Sequence, residues 1–124
     1  MSNDESTCLE VIRWLEKVDA KAGLGKNLYE TISRLTPSVS IELIIKSSDK
    51  QSTLLTWRDD DLYGPGWHVP GGVLRFKETF VERASKTLEN ELQIKEASFS
   101  GPIGFHEIFN DHRDVRGHFI SVVF

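Results

Sequence analysis

Gly71-Gly72-Val73-Leu74-Arg75-Phe76-Lys77-Glu78, followed by a run that closes Lys86-Thr87-Leu88-Glu89-Asn90-Glu91, is the stretch whose reading decides the fold. A glycine pair lets the backbone turn tightly and approach a neighbour or ligand closely, because there is no Cβ. Beyond Glu78, the apolar residues Val81, Ala84, Leu88 and Leu92 recur at helical spacing and predict a buried stripe. Residues four apart lie on one helical face. Thr87 and Glu91 therefore share a face, and Glu91 can be directed at the glycine turn. A carboxylate beside glycine carbonyls is a partial site for Mg²⁺, which takes oxygen ligands and shares its shell with waters and substrate phosphates. The same spacing also describes an ordinary helix with a solvated, charged side.

Upstream of this stretch the hydrophobic period changes twice. Thr7 is a candidate cap for a helix carrying Leu9, Val11, Ile12, Leu15 and Val18, which Gly23-Leu24-Gly25 breaks. A second helix is predicted from Asn27 to Leu35, stopped by Pro37. Ser38 to Lys46 then reads as a strand, Ser47 to Lys50 as a turn and Ser52 to Arg58 as the returning strand. Asp59 to Gly66 is an acidic loop, and Trp67-His68-Val69-Pro70 an extended run into the glycines. Downstream, a strand interrupted by Gly101-Pro102 spans about residues 97–109, and a last strand spans 117–124. Phe119, Val122, Val123 and Phe124 make that last strand strongly apolar. It needs cover from the N-terminal helices, from a partner such as a second copy in a homodimer, or from sequence beyond Phe124.

The bulk numbers narrow the function classes. The chain has 124 residues and a formal charge of −4, which suit one domain and argue against non-specific binding to nucleic acid. Cys8 is the single cysteine, so neither an intrachain disulfide nor a cysteine-based zinc site can form. The polar, acidic start is no secretory signal, and the apolar runs are far short of a membrane span. A cytoplasmic protein is the expectation.

The glycine-to-Glu91 stretch resembles the signature of the Nudix hydrolases, G-x5-E-x7-R-E-U-x-E-E-x-G-U, where U is a bulky aliphatic residue. Gly72, Glu78, Leu88, Glu91 and Ile94 match it. Lys86 stands for the arginine, Thr87 and Asn90 replace two metal-ligating glutamates, and Gln93 replaces the late glycine. Those losses are similar to those of the GDP-mannose mannosyl hydrolase subgroup. Val39-Ser40-Ile41-Glu42, the strand ending at Arg58, Trp67 to Gly72, the segment around His106, and His118 to Phe124 also resemble that subgroup. The likeness runs from about residue 28 to 124, and residues 1–27 have no counterpart.

The resemblance implies a Nudix-type α/β/α sandwich with a mixed sheet over residues 37–124, and the helical spacing upstream predicts an N-terminal helical segment over 1–36. The resemblance further implies Mg²⁺-dependent hydrolysis of a nucleoside-diphosphate sugar such as GDP-mannose at the anomeric carbon. On that basis Glu91 and the backbone of Gly71 and Gly72 hold the metal, Arg58 contacts the diphosphate, His106 supports the leaving group, and Glu42 orients a group near the sugar. Trp67 and Tyr63 are candidates to stack on base or sugar. The subgroup's general base, a histidine in a Gln-His pair, falls beyond the strand that matches 117–124, so weak turnover is expected of these residues alone. Two rivals remain: pyrophosphate cleavage at phosphorus, which the loss of carboxylates at 87 and 90 disfavours, and a nucleotide-sugar-binding module without turnover. Glu78 is expected to anchor the start of the helix by pairing with Lys86. His68, His112 and His118 are read as packing or loop residues.

Overall fold

The computed structural model describes residues 3–61 and 64–124, and the Tyr63 expectation lies outside them. The architecture is mixed α/β, with three helices, a four-stranded mixed sheet and a two-stranded ribbon. Helix α1 covers Asn3–Leu15 and α2 covers Lys26–Ile32, with a single 3₁₀ turn at Ala20–Ala22 between them. The strands are β1 (Ser38–Glu42), β2 (Thr56–Asp60), β3 (Gly64–His68), β4 (Gly71–Val73), β5 (Gly104–Phe109) and β6 (His118–Val123), with α3 (Phe80–Leu92) between β4 and β5.

The sheet order is β4-β1-β6-β5. Strand β1 runs parallel to β6 and antiparallel to β4, and β5 is antiparallel to β6. Alternation along β1 sends Ile41 to one face and Ser40 and Glu42 to the other. The Ile41 face carries the core, where Ile41, Leu43, Val122 and Phe124 meet Ala84 and Leu88 of α3. Helix α3 begins with a capping box, in which the Thr79 hydroxyl accepts from the Glu82 amide and the Glu82 carboxylate accepts from the Thr79 amide.

The buried stripe of α3 differs from the expected one at its start. Val81 is exposed, and Phe80 packs on the core instead, in edge-to-face contact with Phe124. Phe80, Ala84 and Leu88 follow an i, i+4 line. Arg83 and Thr87 are buried beside that line.

The last strand does not need the N-terminal helices. β6 lies inside the sheet, hydrogen-bonded on both sides, with α3 over its apolar face. Helix α1 leaves Val11, Ile12 and Trp14 exposed. The exposed apolar surface that the sequence suggests for β6 is found instead on the edge strand β5, at Phe105 and Phe109.

The acidic loop is mostly a hairpin. Asp59 and Asp60 belong to β2 and pair with Pro65 and Gly64 of β3. The predicted strand at Ser52 to Arg58 is shifted toward the C-terminus. Its first half keeps one isolated bridge, Lys46 to Thr53. Among the described residues no helix is long and apolar enough to cross a membrane.

Candidate functional site

The polar face of β1 becomes one wall of a cleft of about 150 Å³, where the ribbon meets the main sheet. Ser40 and Glu42 come from β1, Arg58 and His68 from the β2–β3 ribbon, and Gly71 and Gly72 from β4. Local physics explains the meeting. The chain leaves β3 at His68, turns through Val69 and the buried Pro70, and re-enters the main sheet at Gly71. The Leu43 amide donates to the Pro70 carbonyl at 2.9 Å, which ties the corner to the continuation of β1.

Both glycines are demanded by packing. A Cβ on Gly71 would stand 2.9 Å from the Ile41 carbonyl oxygen and 3.4 Å from Glu42 Cγ. A Cβ on Gly72 would stand 3.0 Å from Thr87 Oγ1 and 3.2 Å from Arg83 Cδ. Gly72 thus lets α3 lie close on β4, and the register brings Glu91, one turn beyond Thr87, toward Arg58. Arg58 Nη2 lies 3.7 Å from Glu91 Oε1, with both side chains partly exposed. A pair at that distance in contact with solvent contributes little to stability, and both groups stay accessible to a ligand.

The start of α3 is held by a denser polar cluster. The Glu78 carboxylate accepts from Arg83 Nε at 2.8 Å and Arg83 Nη2 at 2.7 Å, from the Arg75 amide at 3.0 Å and from Lys86 Nζ at 3.2 Å. Burial by itself would raise its pKa. The Arg83 fork, the Arg75 amide and Lys86 outweigh that and lower it to about 2. The expected Glu78–Lys86 pair is therefore present, and Arg83 supplies the stronger, two-pronged contact. Arg83 carried no signal in the sequence beyond its position five residues after Glu78.

Of the sequence-selected residues, the structure brings Glu42, Arg58, Gly71 and Gly72 together in the cleft, with Glu91 joined through Arg58. It does not bring His106 or Trp67 into the cleft wall. His106 pairs with Ser121, which pairs with Ser40, so it stands on the same sheet face two strands away. That separation is roughly 10 Å at the usual strand spacing. Trp67 is largely exposed and meets Trp57 edge to face, with ring centroids 5.1 Å apart.

The cleft wall also includes His68, Arg116 and Phe119, which the sequence pattern does not mark as site residues. His68 was read as packing beside Trp67. Alternation along β3 sends the two side chains to opposite sides, and His68 lines the cleft. Arg116 lies in the loop before β6 with a left-handed backbone, φ 54°. Nothing in a single sequence marks a loop arginine as facing a cleft formed by strands far away in the chain.

Among the described residues, no group of three or more His, Cys, Asp or Glu side chains comes together as a metal site. The oxygen donors near the glycine turn are the carboxylate of Glu42, which pairs with Gly71, the backbone carbonyls, and the carboxylate of Glu91 beside Arg58. Thr87 Oγ1, buried against Gly72, has no hydrogen-bond partner among the described residues. All of these are hard oxygens. Such a set fits Mg²⁺ that shares its shell with substrate phosphates, and it does not fit a cation caged by protein alone.

No family model matches the sequence. The chain is similar to the low-salt glycan biosynthesis protein Agl8 of Haloferax volcanii, with 28% identity over 100 residues. The match takes in 77% of this chain and 62% of that protein, so the chain spans less than two thirds of its relative's length.

Proposed function

We propose that this chain is a Nudix-type domain that acts on a nucleoside-diphosphate sugar and hydrolyses it at the glycosidic carbon. The observation that carries the reading is the convergence of Glu42, Arg58, Gly71 and Gly72 on one cleft, with the α3 carboxylate Glu91 beside Arg58. The left-handed backbone of Gln93, φ 58°, where the Nudix pattern has glycine, adds support. The α/β/α sandwich belongs to the same proposal.

In this reading Arg58 receives the diphosphate, for which a guanidinium fork is well matched. Glu91 and the Gly71–Gly72 backbone would hold Mg²⁺. The chemistry such an ion would supply there is charge neutralisation of a diphosphate leaving group. Glu42 faces the sugar side of the cleft and orients a hydroxyl or a water there. His106 and Trp67 stand outside the cleft wall and have no role in this reading. Water adds to the anomeric carbon, the bond from that carbon to the diphosphate oxygen breaks, and the products are a nucleoside diphosphate and the free sugar.

The test is phosphorus NMR of GDP-mannose incubated with the chain, with and without Mg²⁺. GDP plus free mannose supports glycosidic cleavage. GMP plus mannose phosphate means attack at phosphorus and removes the subgroup assignment. An unchanged spectrum with measurable binding favours a nucleotide-sugar-binding module, a reading that the sparse carboxylates also fit.

A further inference from the structure

A second cavity, of about 540 Å³, adjoins the cleft. It is walled on one side by the N-terminal segment, including Leu24 and Tyr29, and on the other by Val73, Leu74 and Phe76. Val73 lines both the cavity and the cleft. Tyr29 and Arg116 form a second junction. The Tyr29 ring lines the cavity, and the Arg116 guanidinium carbon lies 5.9 Å above that ring while Arg116 lines the cleft. The Arg116 amide donates to the hydroxyl of buried Ser33 at 3.0 Å, fixing this loop to the end of α2.

The two spaces suit different halves of one ligand. The cleft of about 150 Å³ is below the several hundred Å³ that enclose a drug-sized molecule. Its wall carries the guanidinium groups of Arg58 and Arg116 and the carboxylate of Glu42, with Glu91 beside Arg58. That is a place for phosphates. The cavity is of ligand size and has two aromatic rings, Tyr29 and Phe76. Its cations are already engaged. Lys26 pairs with Asp61 at 3.0 Å, Arg83 is forked on Glu78, and Arg75 Nη1 donates to the Lys21 carbonyl at 3.1 Å. What remains is a largely apolar space with π faces and nearby backbone at Gly23-Leu24-Gly25, where Gly25 leaves open room around its Cβ position. The many hydroxyls of a sugar would find few unengaged polar side chains on such walls, whereas a flat nucleobase can stack on them.

The geometry points to the cavity between residues 20–29 and 73–76 as the nucleobase site of this chain, reached from the diphosphate cleft past Val73 and Tyr29. The N-terminal segment thereby becomes part of the binding machinery. The inference rests on the proposed diphosphate cleft and extends it.

The experiment is titration calorimetry of the full chain in Mg²⁺ buffer with GDP, UDP and inorganic pyrophosphate. Pyrophosphate needs the cleft alone, and the nucleotides need both spaces. Two variants alter the cavity independently: Ala22→Phe fills it, and Phe76→Ala removes a ring. Each is expected to weaken the tighter nucleotide by about tenfold or more, the scale of lost base stacking, and to leave pyrophosphate within about twofold. Retained pyrophosphate binding also reports that a variant is folded. Nucleotide affinity that is unchanged in both variants, or no tighter than pyrophosphate in the parent chain, overturns the nucleobase site and leaves the diphosphate cleft standing. Absence of binding by all three ligands overturns the diphosphate cleft and the nucleobase site with it.

Discussion

Replacing Glu78 by glutamine removes the charge at the centre of the cluster that seats α3 on the sheet. The carboxylate is 5% exposed and accepts two hydrogen bonds from Arg83, itself 7% exposed at the side chain. Two routes give the size of the effect. Lowering the Glu78 pKa from 4.5 to about 2 corresponds to on the order of 3 kcal/mol of folded-state stabilisation. Breaking a buried pair by neutralising one partner costs about 3–5 kcal/mol, because the other charge is left uncompensated. The two agree, so Glu78→Gln should lose about 3 kcal/mol at pH 7, a large part of the stability of a small domain. The pH dependence has a definite sign. A carboxylate with a depressed pKa contributes fully above the unfolded value and loses its contribution as the pH falls through the folded value. The difference between parent and variant should therefore be flat above about pH 4.5 and shrink as the pH falls toward about 2. Urea unfolding followed by circular dichroism at a series of pH values measures it. A difference below about 1 kcal/mol at pH 7, or one that stays constant into acid, would refute the argument that this cluster holds the helix start.

Gly72→Ala should destabilise by about 1–3 kcal/mol, the range for overpacking, because its Cβ would press on Thr87 Oγ1 and Arg83 Cδ; thermal unfolding measures the loss. Gln93→Gly should stabilise by about 0.5–1 kcal/mol, since glycine takes the left-handed cap conformation at φ 58° without Cβ strain; a lower urea midpoint would contradict it. Arg58→Ala should weaken GDP-mannose binding by about tenfold or more through loss of a charge-assisted contact, as read by calorimetry. Glu91→Ala should lower Mg²⁺-dependent turnover by about a hundredfold and spare Mg²⁺-free binding; equal turnover in parent and variant would remove Glu91 from the metal site.

The helix after Glu78 was legible because its stripe, its cap and its glycine boundary are local signals. The stripe nevertheless began one residue early in the structure: Phe80 fills the space beside Phe124, and Val81 turns to solvent. Periodicity gives a face to within a residue, and the shape of the opposing core chooses which side chain enters it. The strands at 38–42, 104–109 and 118–123 were visible as apolar or β-branched runs. Their order was not, and so the cover over Phe124 was sought in the wrong place. A strand hydrogen-bonded on both sides is recognisable only once its neighbours are known, and those of β6 are β1, about eighty residues earlier, and β5.

The site divides in the same way. Glu42, Arg58, Gly71, Gly72 and Glu91 were singled out on pattern, and the fold gathers them around one cleft. His68 and Arg116 were passed over, because a histidine on a ribbon and an arginine in a loop carry no distinguishing spacing. His106 shares the sheet face of the cleft and stands outside its wall, a separation that follows from β6 lying between β1 and β5.

The sequence by itself determined where the chain turns, which helix face is buried and which residue types are available for oxygen chemistry, because these depend on neighbours within a few residues. Tertiary structure alone decided that Arg83 rather than Lys86 forks Glu78, that Arg116 rests on Tyr29, and that residues 20–29 wall a cavity beside the cleft. Each of those depends on a distance between side chains, and such distances are set by the packing of the whole chain.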